Sequence, residues 1–283
     1  IEHVLQRQHA LVIMPTGMGK SLCYQIPALA IAAESAEGDK QPITLVLSPL
    51  IALMKDQVDS LQQKGIKATF INSSLRKHER ENRYNGVSDG RYSLLYVTPE
   101  RFRKQEFLDV IANRDVKLLA VDEAHCISEW GHDFRPDYTR LSELRAIMHN
   151  PPTIALTATA TPEVQTDIVR QLGLQADDIR LFHEGIDRPN LDLKVVDVWD
   201  GDEKLDAMKG IFDQWLTPDT TGSGIVYFTL IRTLEEFSDR LHADGVKHVC
   251  YHGGLERRNR KAIQDDFMNG RNRLVLATNA FGM

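Results

Sequence analysis

Two short segments of this sequence carry residue types at spacings that suit phosphate chemistry. The first is Met14-Pro-Thr-Gly-Met-Gly-Lys-Ser21, which follows a short apolar run and precedes a helical pattern, the setting a phosphate-binding loop requires. Gly17 and Gly19 allow a tight turn with several amides aimed inward, and the following helix adds its positive end. Across Pro15, Thr16, Gly17, Met18, Gly19, Lys20 and Ser21, the backbone would cradle the phosphates of a nucleotide. Lys20 would reach the β- and γ-phosphates, and Ser21 would set its hydroxyl on a magnesium ion. The pattern G-x-x-x-x-G-K-[ST] departs at its first position, where Met14 stands in place of Gly. An ordinary Gly-rich turn with an incidental lysine is the plain alternative.

The second segment is Lys117-Leu-Leu-Ala-Val-Asp-Glu-Ala-His125, an apolar strand that ends in two adjacent carboxylates. Asp122 would hold magnesium through its water shell, and Glu123 would polarise the water that attacks a γ-phosphate. Either acid alone is commonly a solvated strand end. A phosphate loop upstream gives the pair a shared purpose, because ligands of open α/β sheets bind beyond the carboxyl ends of the strands.

A parallel sheet is what would bring these segments together. Short apolar runs at residues 10–14, 43–47, 94–97, 118–121, 154–156, 225–228, 249–251 and 274–277 read as buried parallel strands. Amphipathic stretches at residues 52–64, 163–172, 234–243 and 257–268 supply the crossover helices such strands need. The fold class is α/β throughout. From Gly173 the pattern weakens into a polar stretch ending in Asp187-Arg188-Pro189-Asn190, a turn-forming cluster. The domain boundary is placed near Asp187, giving domains over residues 1–186 and 187–283.

Composition sets outer limits. A chain of 283 residues exceeds the size at which single cores usually stop growing, which favours two domains. A formal net charge of -6 gives no global attraction to nucleic acid, so any such site is local. Cys23, Cys126 and Cys250 are far apart without a C-x-x-C pair, which indicates neither a disulfide framework nor a zinc site. A reducing, cytoplasmic setting fits. No apolar run approaches membrane-spanning length, and the first residues lack a signal-peptide layout.

Asp122-Glu-Ala-His125 in such a chain resembles the signature of superfamily 2 helicases. The longer string Asp122-Glu-Ala-His-Cys-Ile-Ser-Glu-Trp-Gly-His-Asp-Phe-Arg-Pro-Asp-Tyr138 resembles motif II of the RecQ family with its aromatic-rich loop. Further matches follow in family order: Leu22-Cys-Tyr-Gln25, Ser48-Pro-Leu-Ile-Ala-Leu-Met-Lys-Asp-Gln57, Thr98-Pro-Glu-Arg101, Ala155-Leu-Thr-Ala-Thr-Ala160, Asp187-Arg-Pro-Asn190, Tyr251-His-Gly-Gly254 and Ala277-Thr-Asn-Ala-Phe-Gly-Met283. Met14 fits as well, since the family tends to use Met-Pro-Thr-Gly there. The resemblance covers nearly the whole chain. It implies two RecA-like P-loop domains that sandwich ATP, the second incomplete. It also implies ATP- and magnesium-dependent movement on single-stranded and partly duplex DNA, three-prime to five-prime, in repair and recombination.

The same resemblance assigns Ser48, Lys55, Thr98 and Arg101 to DNA-facing loops of the first domain, and Thr229, Tyr251, His252 and Thr278 to those of the second. Taken singly, such residues are more often caps or solvated groups. His125, Thr157 and Thr159 match the relay between Glu123 and the DNA side, although alternate threonines also suit a plain strand. In Ser128-Glu-Trp-Gly-His-Asp-Phe-Arg-Pro136, Trp130 and Phe134 offer faces for stacking, Arg135 a phosphate or cation–π partner, and Gly131 a bend. Both aromatics could instead fill the core. The cluster Arg257-Arg-Asn-Arg-Lys261 reads as a charged helix face in water. The resemblance places an adenine-reading glutamine before residue 1 and trans-cleft arginines beyond Met283, so the expectation for this chain is nucleotide binding without unwinding. No zinc is expected. A DEAD- or DEAH-type RNA helicase and a non-hydrolysing nucleic-acid scaffold are the competing readings.

Overall fold

The structure, a computed structural model, describes residues 1–34, 40–130, 134–183, 185, 190–217, 219–278 and 281. The chain divides into two compact units, Ile1–Arg188 and Pro189–Met283. The boundary expected near Asp187 lies outside the described residues.

The first unit carries strands β1 (His9–Ile13), β2 (Ile43–Leu47), β3 (Ala68–Ile71), β4 (Leu94–Val97), β5 (Val116–Val121), β6 (Thr153–Thr157) and β7 (Ile179–His183). Its helices are α1 (Glu2–Leu5), α2 (Leu22–Ala33), α3 (Ile51–Gln63), α4 (Lys77–Ser88), α5 (Gln105–Ala112), α6 (Leu141–Ile147) and α7 (Pro162–Gln171). Among the described residues the strands form one parallel sheet in the order β3-β4-β2-β5-β6-β1-β7. Side-chain alternation sends Leu45, Leu47, Leu119 and Val121 into one core and Val46, Leu118, Ala120 and Leu156 into the other. Helices on both faces cover these cores, which is why β2 is buried along its whole length. Each fully buried large side chain contributes about 1.5–3 kcal/mol.

Two strands were not read from the sequence. β3 is a four-residue strand, and β7 lies inside the stretch read as polar and irregular. An edge strand needs little apolar character, and Arg180, Leu181 and His183 of β7 are exposed.

The second unit holds α8 (Gly201–Trp215), β8 (Gly224–Tyr227), α9 (Ile231–Ala243), β9 (Val249–Tyr251), α10 (Arg257–Met268) and β10 (Leu274–Ala277). Its described strands pair in parallel in the order β8-β10-β9. Asp200 starts α8 by accepting the amides of Asp202 and Glu203, each at 2.9 Å, a capping arrangement that relieves two unpaired donors. Leu234, Phe237, Leu241 and Leu276 fill one face of the sheet, and Tyr251, Val275, Ala277 and Phe281 the other. No helix of the described residues is long and apolar enough to cross a membrane.

Candidate active site

Sheet order decides what meets at the site. β5, β6 and β1 are consecutive, with Val121 beside Ala155 and Thr157 beside Ile13. Their carboxyl ends therefore bring together the acids after β5, Thr157 of β6 and the glycine-rich loop after β1.

The loop leaves β1 with the Met14 amide donating to the Thr157 carbonyl at 3.0 Å. Pro15 is buried, while Thr16, Gly17 and Met18 are exposed. Gly17 and Gly19 have φ of 86° and 84°, a region that side chains other than glycine's enter at a cost. At Gly19 the constraint is the backbone and not crowding, since a Cβ there would lie 3.5 Å from its nearest neighbour, Leu22 Cδ1. Lys20 donates from Nζ to the carbonyl of Met14 at 3.1 Å, tying the end of the loop to its start. Ser21 is the N-cap of the twelve-residue α2 and makes no capping bond with its side chain.

Opposite, the Asp122 amide donates to the Leu47 carbonyl at 2.8 Å, which fixes the acid at the end of β5. Burial pushes the Asp122 carboxyl up to about 6, and the charge of Glu123 adds to this; the Glu123 amide and the Lys20 ammonium offset part. A desolvated acid beside a second acid suits a site that receives a cation. Glu123 turns the chain with φ 50° and ψ 47°, and its amide donates to Asp122 Oδ1 at 3.0 Å. Its Oε2 lies 3.4 Å from His125 Nδ1, and that nitrogen is 2.9 Å from Thr157 Oγ1. The Thr157 hydroxyl donates to the Thr159 carbonyl at 3.0 Å. The geometry thus runs from Glu123 through His125 and Thr157 to Thr159 without a gap.

Among the described residues no group of three or more His, Cys, Asp or Glu side chains could hold a metal ion. Magnesium that arrives with a nucleotide takes its ligands from phosphates and waters and needs one or two protein groups. Asp122 and the Ser21 hydroxyl suit that smaller requirement.

The residues assigned to nucleic acid separate by exposure. Trp130 is 76% exposed, so it is not a core filler. Its amide donates to Ser128 Oγ at 3.2 Å. Phe134 and Arg135 are half-buried. Arg135 donates from Nη1 to the Pro49 carbonyl at 3.2 Å, which ties the aromatic segment to the loop after β2. The bend assigned to Gly131 lies outside the described residues. Lys55 is exposed and pairs with Asp59 one helical turn on, at 2.8 Å.

Ser48, Thr98 and Arg101, expected on DNA-facing loops, are all buried in this structure. The Ser48 hydroxyl accepts the Leu50 amide at 3.5 Å, and Thr98 precedes a 3-10 turn at Pro99–Arg103 that packs inward. In the second unit Thr229 is exposed, and His252 and Thr278 are half-buried. Tyr251, expected in the corresponding motif of the second unit, is buried as well. Its ring is buried edge-on against Phe281 at 4.7 Å between centroids, because inward alternation along β9 places it in the core.

A cluster not assigned from the sequence lies beneath the loop. Gln57 Oε1 of α3 accepts from Gln25 Nε2 at 2.9 Å, Tyr24 at 3.2 Å and Tyr96 at 3.3 Å. It joins the helix after the phosphate loop to the helix bearing Lys55. Leu22-Cys-Tyr-Gln25 and the end of the Ser48 string both held it, unread because amides in helices usually face water.

Comparison with known proteins accords with this geometry. The family described as DEAD/DEAH box helicase matches residues 1–168, and the helicase conserved C-terminal domain matches residues 203–283. The ATP-dependent DNA helicase RecQ of Bacillus subtilis is 44% identical over 278 residues, covering 98% of this chain and 44% of that protein. The RecQ helicase of Haemophilus influenzae is 41% identical over 283 residues, covering 100% and 43%. The chain thus spans less than half the length of these relatives. Among solved structures, Mycobacterium smegmatis helicase Lhr bound to ssDNA and AMP-PNP shares the fold, with a TM-score of 0.63 at 19% identity, over 100% of this chain and 39% of that one. The chain belongs to the DEAD/DEAH box helicase family, and its similarity within that family is to the RecQ helicases.

Proposed function

We propose that this chain is the motor core of a RecQ-like DNA helicase, which uses ATP and magnesium to move along single-stranded DNA and separate duplex. The direction, three-prime to five-prime, and a role in repair and recombination follow from the likeness alone. The observation that carries the reading is that the Lys20 charge acts on Asp122, next to Glu123 and the His125–Thr157 contact, in a segment that runs on to an exposed Trp130.

In this reading the loop from Pro15 to Ser21 and the start of α2 hold the phosphates, with Lys20 compensating their charge. Ser21 and Asp122 would hold magnesium, which supplies charge stabilisation as the γ-phosphoryl departs. Glu123 would orient and deprotonate the attacking water. Trp130, Lys55 and, in the second unit, Thr229, which are exposed, with the half-buried Phe134, Arg135, His252 and Thr278, would meet a nucleic acid strand. Among the described residues Cys23, Cys126 and Cys250 are in no disulfide, which suits a reducing cytoplasm.

The test compares phosphate release by the full-length protein with single-stranded DNA and with RNA of equal length. Stronger stimulation by DNA is expected. Stronger stimulation by RNA would make this an RNA helicase, and no turnover at saturating DNA would leave a nucleotide-binding scaffold.

A further inference from the structure

The chain leading to Trp130 is fastened by a carboxylate that has no part in the site above. Asp167 lies on α7 and is buried, with 4% of its surface exposed. Its Oδ2 accepts the Glu129 amide at 3.2 Å, its carboxylate also accepts the Ser128 hydroxyl, and Oδ1 pairs with Arg170 of the same helix. Ser128, itself fully buried, accepts the Trp130 amide. The two residues before the indole, and the indole's own amide, are thereby referred to one side chain.

A charge is a costly way to pack a helix. Burial alone would raise the Asp167 carboxyl, but the bonds from Ser128 and Arg170, the Arg170 charge and the Glu129 amide outweigh it and hold the group below the usual carboxylate range. Val164 and Ile168 already seat α7 on the core. What the carboxylate adds is a set of directed acceptors that an apolar residue lacks.

The position of α7 gives those acceptors a purpose. The helix is capped by Thr161, whose hydroxyl accepts the Val164 amide at 3.4 Å, two residues beyond Thr159, the end of the contact path from Glu123. With Trp130 it forms a groove of about 470 Å3 lined by the exposed Glu163, Thr166 and Arg170 and by the buried Asp167. One helix therefore begins just after the end of the hydrolytic relay and reaches the root of the indole further along.

We propose that Asp167 is a positioning residue that holds Ser128, Glu129 and Trp130 against α7, so that a strand stacked on Trp130 acts on the Glu123 water through that helix. The proposal rests on the DNA-motor reading above. A rigid element shared by two sites is a physical route for coupling, and its test is the dependence of one site on the other.

The experiment measures fold-stimulation of ATP turnover by single-stranded DNA in the full-length protein, for Asp167→Ala, Asp167→Asn, Trp130→Ala and the double variant with both alanines. Asp167→Ala is expected to lower stimulation by roughly tenfold, the scale of one lost charge-assisted contact, while unstimulated turnover is kept. Asp167→Asn, which retains an acceptor oxygen, is expected to recover part of the loss. In the Trp130→Ala background the Asp167→Ala change should add nothing. An equal loss in both backgrounds, or full stimulation of Asp167→Ala beside an impaired Trp130→Ala, overturns the positioning role and leaves the DNA-motor reading standing. Full stimulation of Trp130→Ala overturns the assignment of the indole and the proposal with it. If Asp167→Ala does not fold, Asp167→Asn and Ser128→Ala undergo the same comparison and decide the matter.

Discussion

His125 donates from Nδ1 to the Thr157 hydroxyl at 2.9 Å. The direction of that bond follows from the hydroxyl's one hydrogen, which is directed to the Thr159 carbonyl at 3.0 Å, leaving only acceptor capacity toward the ring. Thr157→Val keeps the shape of this buried residue and removes these two bonds and the one that its hydroxyl accepts from the Thr159 amide at 3.3 Å. The variant is expected to lose about 0.5–1.5 kcal/mol of stability, the net worth of an internal hydrogen bond whose other partners, His125 and Thr159, still reach water, and to respond less to DNA. Thr157→Ser should behave like the parent. Urea unfolding beside stimulated turnover measures both, and a Thr157→Val protein of parental stability and response would remove the threonine from the relay.

Lys20→Ala and Asp122→Ala are each expected to abolish ATP turnover, by removing phosphate charge compensation and the magnesium anchor. Glu123→Gln keeps the shape and removes the base, so it should bind ATP and hydrolyse it slowly. Nucleotide titration with steady-state phosphate release separates the two classes. Undiminished turnover by Glu123→Gln would place water activation elsewhere.

Trp130→Ala removes a side chain that is 76% exposed. Its effect on stability should stay within about 0.5 kcal/mol, as for other surface changes, while the ratio of stimulated to unstimulated turnover falls sharply. A drop of several degrees in melting temperature with the ratio unchanged would mean that the indole packs instead of sensing.

His9 should make the fold acid-sensitive. Its Nδ1 accepts the Thr153 amide at 2.9 Å, and its pKa is held below the ordinary value by burial first and the Arg145 charge second. The folded state therefore favours the neutral ring. That contribution is complete above the unfolded value of about 6.5 and is lost as pH falls from there through the folded value. His9→Asn keeps an acceptor and does not titrate. Between about pH 7.5 and about pH 5.5 the parent should lose more melting temperature than His9→Asn; parallel losses would assign the acid sensitivity to another group.

The phosphate loop and the acid pair were legible because each needs fixed residue types at fixed spacing, and buried parallel strands because they read as unbroken apolar runs. β7 was hidden for the opposite reason, since it is an edge strand with three of its five residues exposed. Side-chain direction in the loops was also out of reach. Thr98 and Arg101 turn inward because the 3-10 turn after β4 packs its Pro99 and Phe102, and nothing in Thr98-Pro-Glu-Arg101 distinguishes that from an outward turn. Asp167 gave no signal, as one acid on an amphipathic helix usually meets water.

The hydrogen bonds that hold β5, β6 and β1 in register belong to the main chain, so the gaps between their ends are set by the strand spacing of about 4.8 Å and not by the side chains of the sheet. Val121, Ala155 and Ile13 can be exchanged for other residues of similar bulk without moving Asp122 relative to the loop that bears Lys20. Substitutions in the two cores of this sheet thus change how long the protein survives before they change how fast it works. Descendants of one ancestral sequence can drift far apart in their interiors and still share a single distance between lysine and acid.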